Sequence, residues 1–466
     1  MTPCGSEATV AAGRLAPGLI GSRARGLRQP LGPRLQRFCS DSGHELLRKA
    51  EQAIAWSSYA AGAYTVVHNA DVHTNVNPFT FGALALDEAF TDRESELREL
   101  TRDIRNGQDV LLYAPRRYGK SSLALRAVQQ ALARGVLVGY CDLMKTPTKE
   151  RFAAALARTI HADIDSGVGQ ALERAAALFR GLRITPAMEV DPSDGSLRFS
   201  FQAGRRKTDI DDTIERLLEL PGELAAERER RVAVVFDEFQ EVVALDKQFP
   251  NLMRAVFQTQ PEVSHVYLGS KRHILERIFN DRNEPFWRSA KQMEIGPIAL
   301  RAFAAFIAAR FAETERAIDD DALARLLEAT GGHPYATQEL AYFVWELVPT
   351  GHYAHRADVE EALEKVVRTE HNHFNRLWDD ATHNQRLVLV ALAEEPTAAP
   401  YSEDYHSRRE LPASPTLQRA LGALVRDDLV GKADAGEYAV VEPFLAEWLR
   451  REQREYGLPR PLRSER

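Results

Sequence analysis

A short segment that contains glycine and cations lies between an apolar run and a helical pattern. The run Asp109–Tyr113 is typical of a buried parallel strand, and apolar residues recur at helical spacing over Ser121–Ala133. The segment between them, Ala114–Ser121, follows the spacing G-x-x-x-x-G-K-[ST] except that Ala114 replaces the first glycine. A phosphate-binding loop requires this strand-to-helix context. The pattern therefore predicts that the loop binds a nucleoside triphosphate.

Each residue type in the loop has a separate task. Gly119 lets the backbone approach the phosphates, and the N–H groups of the loop and of the following helix receive the negative charge. Lys120 is placed to bridge the terminal phosphates, and the hydroxyl of Ser121 is suited to ligate Mg²⁺. We expect the nucleotide to contact the whole loop: Ala114, Pro115, Arg116, Arg117, Tyr118, Gly119, Lys120, Ser121 and Ser122.

A pair of acids follows a second apolar run. Arg230–Phe236 has the pattern of a buried strand, and Asp237 and Glu238 fall at its carboxyl end, where open α/β sheets bind ligands. Asp237 is suited to hold Mg²⁺ together with Ser121, and Glu238 to orient or deprotonate an attacking water. The acid pair favours hydrolysis over kinase chemistry. Since Leu245–Lys247 does not fit the guanine-reading pattern Asn-Lys-x-Asp, ATP is the expected nucleotide.

Three more apolar runs complete a predicted α/β fold. Gly135–Leu143, His265–Ser270 and Gln292–Ile298 are separated by helical segments, which gives five parallel strands with helices on both faces. Ser270, at the end of the fourth strand, is expected near the terminal phosphate, although a simple strand cap is equally consistent with its position. The insert Thr146–Glu229 includes an apparent hairpin, Ala187–Phe201.

Five motifs together resemble a known family. They are Asn77–Gly82, Phe90–Glu94, the phosphate-binding loop, Phe236–Glu241 and Thr330–Pro334. They are similar to motifs of the prokaryotic AAA-type ATPases of the STAND group, also called the archaeal ATPase family, and the similarity runs from about Asn77 to Leu449. The resemblance implies an ATPase core, a helical lid whose His333 and Pro334 approach the nucleotide, and a C-terminal winged helix.

One further site residue is implied by the resemblance. Members of the family commonly carry a Tyr-Gly-Arg-like element after the fourth strand, and here the matching residues Phe286–Arg288 lack the glycine. Arg288 is expected to act as an arginine finger, in cis or in trans, that stabilises charge on the γ-phosphate. A surface ion pair is the alternative.

Periodicity after the sheet supports the implied lid and winged helix. Helical patterns over Leu300–Phe311, Ala322–Ala329 and Tyr335–Leu347 predict a small bundle. The order helix, strand, strand over Thr416–Asp427, Leu429–Ala433 and Glu437–Val441 fits a winged helix. The predicted organisation is a leader (1–75), a P-loop ATPase core (76–298), a helical lid (299–380), a winged helix (381–455) and a tail (456–466).

The leader differs in composition from the rest of the chain. Residues 1–40 carry six arginines and a single acid, Glu7, with no apolar periodicity. Three interpretations fit this composition. The segment is a transit peptide, a disordered tail, or part of a gene assignment that begins too early, in which case the protein really starts near Val76. We favour the last two. The three cysteines, Cys4, Cys39 and Cys141, are too few and scattered for a disulfide framework, which points to a reducing, cytoplasmic location.

Charge argues against a polyanion as the main partner. The 466 residues include 60 Lys and Arg against 67 Asp and Glu, and residues 381–450 carry seven basic side chains against eleven acidic ones. DNA binding is therefore weakly supported, and the winged helix is expected to pack on the ATPase core or on a partner protein that the sequence does not identify. His371 and His373 are expected to be solvated or capping. No apolar run reaches the ~18 residues of a membrane span. The sequence predicts a nucleotide-dependent regulatory switch. The alternatives are a DNA-binding initiator-like AAA+ ATPase and a nonhydrolysing ATP-binding scaffold.

Overall fold

The computed structural model describes residues 76–86, 89–164, 171–191, 196–202, 207–432 and 436–456. Predictions for the leader, including Cys4 and Cys39, and for residues 457–466 lie outside the described residues. The strands are β1 Val110–Tyr113, β2 Leu137–Asp142, β3 Ala187–Val190, β4 Leu197–Ser200, β5 Val232–Asp237, β6 Val263–Gly269, β7 Lys291–Glu294, β8 Ala317–Ile318, β9 Tyr353–Ala354, β10 Val430–Lys432 and β11 Tyr438–Val440.

The helices alternate with the strands of the first half and dominate the second half. They are α1 Glu94–Asn106, α2 Lys120–Ala133, α3 Lys149–Thr159, α4 Ala171–Leu178, α5 Lys207–Arg228, α6 Val242–Leu245, α7 Phe249–Phe257, α8 Arg272–Asn280, α9 Leu300–Glu313, α10 Asp320–Thr330, α11 Pro334–Leu347, α12 Arg356–Asp380, α13 His383–Glu394, α14 Glu403–Arg408, α15 Ser414–Arg426 and α16 Pro443–Tyr456.

A parallel sheet with the strand order β2-β5-β6-β1-β7 forms the centre of the region before α9. This confirms the predicted five-stranded parallel sheet. The last strand is shorter than predicted and ends at Glu294, because the chain then turns towards α9. Since β6 alone separates β1 from β5, the loop after β1 and the acids after β5 meet at one edge of the sheet.

The two faces of the sheet are covered by different sets of helices. On one face Leu111, Phe236 and Tyr267 pack in an apolar cluster with residues of α3, α5 and α7. On the other face Leu112 and Val235 pack with residues of α1 and α2. These side chains are almost completely buried, as expected for strands that are covered on both faces. The predicted hairpin of the insert forms as β3 and β4, which pair antiparallel.

The lid and the winged helix share one hydrophobic core. Buried residues of α9 to α12 and of α13 to α16 belong to the same cluster, which also includes Phe79 from the segment before α1. Phe374 of α12 and Trp448 of α16 are 1% and 3% exposed, and their ring centroids lie 6.1 Å apart. These elements are therefore held together by apolar packing.

The sheet meets the lid at a glycine. The N–H of Ile298 donates to the carbonyl of Gly332 (2.9 Å), and Gly332 has a φ of 75°. A Cβ at this position would lie 2.3 Å from the carbonyl oxygen of Ile298. Both the left-handed conformation and the close approach therefore require glycine in the second position of the predicted Gly-Gly-His-Pro turn.

The winged helix follows the predicted order. In α15 the side chains of Leu417, Leu421 and Leu424 are buried against the shared core, and β10 pairs antiparallel with β11. A short helix, α14, precedes α15 and ends at Arg408. Among the residues that the structure describes, none of the helices combines the length and the apolar character that crossing a bilayer requires.

Candidate functional site

The loop after β1 has the backbone geometry of an anion site. Gly119 has a φ of 84° and immediately precedes α2, which begins at Lys120. Arg117 also adopts a left-handed conformation, with a φ of 65°. A non-glycine residue in this region costs about 1–3 kcal/mol, so the surrounding contacts must hold it there. The loop thus presents the N-terminus of α2 at the sheet edge.

Lys120 is held inside the loop. Its side chain is buried (6% exposed), and Nζ donates to the carbonyls of Ala114 and Pro115, both at 2.9 Å. Burial lowers the pKa of Lys120, while the nearby carboxylates of Glu238 and Asp237 raise it. The ammonium group is therefore oriented by the loop and compensated by the two acids after β5.

The hydroxyl of Ser121 and the carboxylate of Asp237 meet across the sheet edge. Ser121 Oγ donates to Asp237 Oδ2 at 3.1 Å, and the hydroxyl of Tyr140 from β2 also donates to this carboxylate. Burial raises the pKa of Asp237, and the hydrogen bonds from Tyr140 and Ser121 oppose this effect. Two oxygen donors of the kind that Mg²⁺ prefers thus lie side by side.

Glu238 is fixed in an uncommon backbone conformation. It has a φ of 53°, and Ser270 Oγ donates to its Oε2 at 2.9 Å. The side-chain amide of Gln240 donates to the same oxygen. A Cβ on Gly269 would lie 2.5 Å from Gln240 Oε1, so the end of β6 must be glycine for Gln240 to take this position. These contacts direct the carboxylate of Glu238 to the wall of the cavity described next.

A cavity of about 450 Å³ lies above the loop. Part of the lining is polar and comes from Arg116–Ser122 and Glu238. Most of the remaining lining is apolar and comes from the segment before α1, the chain between β7 and α9, and the lid: Phe81, Leu84, Ala85, Phe90, Ile298, Phe303 and Tyr335. The size and the two-part lining suit a ligand with a polyanionic end and a flat apolar end.

The segment before α1 is fastened on both sides of the cavity. Gln338 of α11 accepts from the N–H of Thr80 (3.3 Å) and donates to the carbonyl of Ala89 (3.1 Å). On the opposite side, the N–H of Ala85 donates to Ser122 Oγ at 3.2 Å. The described residues of this segment, 77–86 and 89–90, therefore bridge the lid and α2, and we call them the strap.

His333 supports the lid side of the cavity from behind. Its Nδ1 accepts from the N–H of Ala336 (3.2 Å) and caps α11, and its ring centroid lies 4.6 Å from that of Tyr118. Burial lowers the pKa of His333 to about 4, and the charge of Arg117 acts in the same direction. The imidazole is therefore neutral at pH 7. Pro334, the first residue of α11, lines the cavity directly.

Arg117 connects three parts of the molecule. Its guanidinium lies 4.2 Å from the ring centroid of Tyr335 in the lid, a distance suited to a cation–π contact. Arg117 Nη1 also lies 4.0 Å from Glu442 Oε2, just before α16 of the winged helix. The phosphate-binding loop is thus in direct contact with both the lid and the winged helix.

The comparison with protein families agrees with this site. The family model described as an ATPase domain predominantly from Archaea matches residues 90–340, which is more than half of the chain. The chain belongs to this ATPase family. A second model, described as a probable winged helix domain, matches residues 372–451. No curated protein sequence matches the chain.

Three solved structures are similar to this chain, and the first of them shares its fold. A Walker-type ATPase of Pyrococcus abyssi is 18% identical, with a TM-score of 0.53 over 78% of this chain and 97% of that chain. The ORC1 protein of Aeropyrum pernix, solved in complex with DNA, is 17% identical, with a TM-score of 0.40 over 78% and 93%. The Thermotoga maritima RuvB branch migration motor is 13% identical, with a TM-score of 0.38 over 80% and 98%.

Some residues predicted for this ATPase site lie behind the cavity or away from it. Ala114 and Pro115 act through Lys120, and Ser270 acts through Glu238. Arg288 is exposed and lies outside the cavity lining, with its guanidinium 5.3 Å from the ring centroid of Trp287. The finger role of Arg288 stays a prediction.

The histidine pair on α12 differs from expectation. His373 is exposed, but His371 is partly buried and its Nδ1 accepts from Trp448 Nε1 at 3.0 Å. The prediction that both are solvated or capping is therefore wrong for His371, because Trp448 turns its N–H towards α12. In the described ranges, three or more His, Cys, Asp or Glu side chains are not found together in a metal-binding arrangement.

Sequence reasoning missed several residues around the ATPase cavity. Tyr140 and Gln240 each contact one of the two acids, and Gln338 fastens the strap. Gln240 lies in the segment that directly follows β5, so its proximity to Glu238 could have been inferred. Arg93, which lines the cavity, donates to the carbonyl of Gly296 at 2.5 Å and has no local pattern that would reveal this contact.

Proposed function

We propose that this chain binds ATP in the cavity above the loop and hydrolyses it. The observation that carries the proposal is the meeting of Ser121 and Asp237 at 3.1 Å next to Glu238 and the buried Lys120. The loop and the Ser121 hydroxyl follow β1, whereas Asp237 and Glu238 lie at the end of β5. Their convergence supports a site that holds phosphates, a cation and a water together.

The donor set fits Mg²⁺. Ser121 and Asp237 offer adjacent oxygen atoms, and Mg²⁺ in phosphate sites commonly takes one or two protein oxygens, the substrate phosphates and water. We propose that these two residues hold the ion. When bound, it would neutralise charge on the phosphate oxygens. The position of Tyr140 then fixes the orientation of the Asp237 carboxylate.

Glu238 is the proposed acceptor of the proton of the attacking water. Its carboxylate lines the cavity and is held by Ser270 and Gln240, which fix its direction without neutralising it. Lys120 would balance the charge of the β- and γ-phosphates. The apolar part of the cavity lining, which includes Phe81, Phe90 and Tyr335, provides a surface for the adenine ring.

We further propose that the nucleotide controls the arrangement of the lid and the winged helix, so that the protein acts as a regulatory switch. The contacts of Arg117 with Tyr335 and Glu442 support this, because the residue that faces the phosphates also faces the two moving parts. We place this ATPase in the STAND group and in the cytoplasm, and we keep the proposed boundaries of core (76–298), lid (299–380) and winged helix (381–455).

DNA is a weaker candidate partner. Several of the basic side chains in the winged helix are engaged in ion pairs within it, including Arg408 and Arg409 with Glu395 (2.8 and 2.7 Å) and Arg450 with Glu447 (3.2 Å). Arg419 and Arg426 of α15 are exposed, which leaves few cations for phosphate contacts. The winged helix should therefore contribute little affinity for duplex DNA at physiological salt. Submicromolar affinity with a steep salt dependence would support the initiator-like alternative.

The ATPase proposal is tested with two variants and matched controls. Lys120→Ala should abolish tight ATP binding, and Glu238→Gln should retain ATP but lower turnover by about 10²-fold or more. The exposed residues Lys247 and Glu262 provide the controls Lys247→Ala and Glu262→Gln, which should match the parent. Fluorescent-nucleotide titration and phosphate release measure the two effects. Parental turnover by Glu238→Gln would contradict the proposed role of Glu238.

A further inference from the structure

Two turns of the winged helix direct carboxylates towards the ATPase core. Asp428 lies in the turn between α15 and β10, has a φ of 58° and is half-buried. Glu442 lies in the turn between β11 and α16, with 26% of its side chain exposed. Acidic side chains at a domain surface are usually solvated. The partial burial of both Asp428 and Glu442 therefore indicates that other groups cover them.

The groups opposite these acids are cations of the phosphate site. Glu442 Oε2 lies 4.0 Å from Arg117 Nη1. Burial raises the pKa of Asp428, and the charges of His273, Arg116, Lys120 and Lys271 oppose this rise. The effect is mutual for Lys120, whose pKa Asp428 raises. The winged helix thus places negative charge near cations that the phosphates of the nucleotide would also attract.

Arg117 balances more than one acid. Burial raises the pKa of Glu339 on α11 to about 7, and Glu370 and Glu442 raise it further, while Arg117 lowers it. The same cation lowers the pKa of Glu442, which burial and Glu370 raise. An anion that drew Arg117 into the cavity would therefore leave these three acids facing one another with less compensation, and their repulsion would weaken the junction.

We propose that Glu442 competes with the phosphates of the nucleotide for Arg117, that the charge of Asp428 opposes the same phosphates, and that both acids are thereby determinants of nucleotide selectivity. The inference rests on the proposed ATP site. Lys120 of a phosphate-binding loop reaches the β- and γ-phosphates, so a carboxylate in its field opposes a triphosphate more than a diphosphate. Docking of the winged helix and binding of ATP are thus mutually unfavourable, as linkage requires.

The test uses the full-length protein and fluorescent analogues of ATP and ADP with Mg²⁺ at low salt. Asp428→Asn and Glu442→Gln should each strengthen ATP binding by about two- to fivefold, the range expected for partly exposed charges, and ADP binding by clearly less. Neighbouring exposed acids supply the controls, Asp427→Asn and Glu437→Gln, which should leave both affinities unchanged. Equal gains for ATP and ADP would overturn the assigned selectivity.

A double-mutant cycle separates competition from a general loss of negative charge. In the Arg117→Ala background, Glu442→Gln should no longer change ATP affinity, because the cation for which the two anions compete is absent. An undiminished gain in that background would overturn the role of the Arg117 contact. Asp428→Asn should keep its effect there, since Lys120 and Arg116 remain.

The two proposals can fail separately. If the parent binds ATP in a Lys120-dependent manner and both neutral variants bind it equally well, the competition is wrong and the ATP site stands. If the parent binds weakly and the Asp428→Asn Glu442→Gln double variant binds tightly, the competition is supported. If neither binds ATP, both proposals are overturned.

Discussion

The winged helix has two junctions that differ in chemistry. Its junction with the lid is apolar, and Phe374, Trp448 and their neighbours lie in one continuous core. Its contact with the phosphate-binding loop is charged, with Arg117 and Glu442 4.0 Å apart and half of the Arg117 side chain exposed. Apolar packing is lost only when the elements separate, whereas a half-exposed ion pair can exchange partners at little cost. The lid and winged helix should therefore stay together while the contact with the loop changes.

The largest expected effect is on the apolar junction. Trp448→Ala should lower the free energy of unfolding by about 3–5 kcal/mol, because a buried aromatic ring and its packing are lost. Chemical denaturation measures this, with Trp287→Ala as the control, since Trp287 is 47% exposed and should matter by only about 0.5 kcal/mol. Equal effects of the two substitutions would mean that the junction does not hold the two parts together.

The second largest effect is the pH dependence that His333, the lid residue behind the loop, gives to the free energy of unfolding. The pKa of His333 is about 4 in the folded protein, lowered by burial, against about 6.5 in an unfolded chain. Between these values the unfolded chain binds a proton that the folded chain does not, so stability falls as pH falls from 6.5 towards 4. The total contribution is about 3 kcal/mol.

The variant His333→Asn tests this effect, because it keeps a capping side chain at the start of α11 and removes the titratable imidazole. His333→Asn retains an acceptor for the N–H of Ala336, so its stability should depend less on pH over this window. Denaturation curves at pH 6.5, 5.5 and 4.5 measure the slope. The exposed His352 provides the control His352→Asn, which should keep the parental slope. A parental slope in His333→Asn would contradict the assigned protonation state.

The strap should show an intermediate effect. Gln338→Leu removes the hydrogen bonds to Thr80 and Ala89 while keeping the volume, and should cost about 1–3 kcal/mol because their backbone groups lose a partner. Nucleotide affinity should fall as well, since the strap forms a wall of the cavity. The exposed Gln418 offers the control Gln418→Leu. Unchanged nucleotide affinity in Gln338→Leu would show that the strap does not shape the part of the cavity proposed to hold the adenine ring.

The smallest effect is expected at the charged contact. Glu442→Gln should change the free energy of unfolding by less than about 1 kcal/mol, because the pair with Arg117 is long and half-exposed. Thermal and chemical denaturation at two salt concentrations measure it. A loss of stability as large as that of Trp448→Ala would mean that the charged contact is as strong as the apolar junction.

Local patterns predicted the parts of the site that follow a strand directly. The loop 114–122 and the acids Asp237 and Glu238 carry their signal in adjacent residues, and the structure brings them together. Contacts between distant residues had no such signal. Gln338 lies 258 residues from Thr80, and their hydrogen bond depends on how the lid packs, which periodicity does not specify. The same holds for Arg117 and Glu442, whose meeting requires the shared core to place the winged helix.

The glycine contact between Ile298 and Gly332 has a mechanical consequence. A Cβ on Gly332 would lie only 2.3 Å from the Ile298 carbonyl oxygen, so the two backbones are in contact here without side chains between them. Because the lid and the winged helix share one core, a rotation about this backbone contact would move them together, and the residues farthest from the contact would be displaced most.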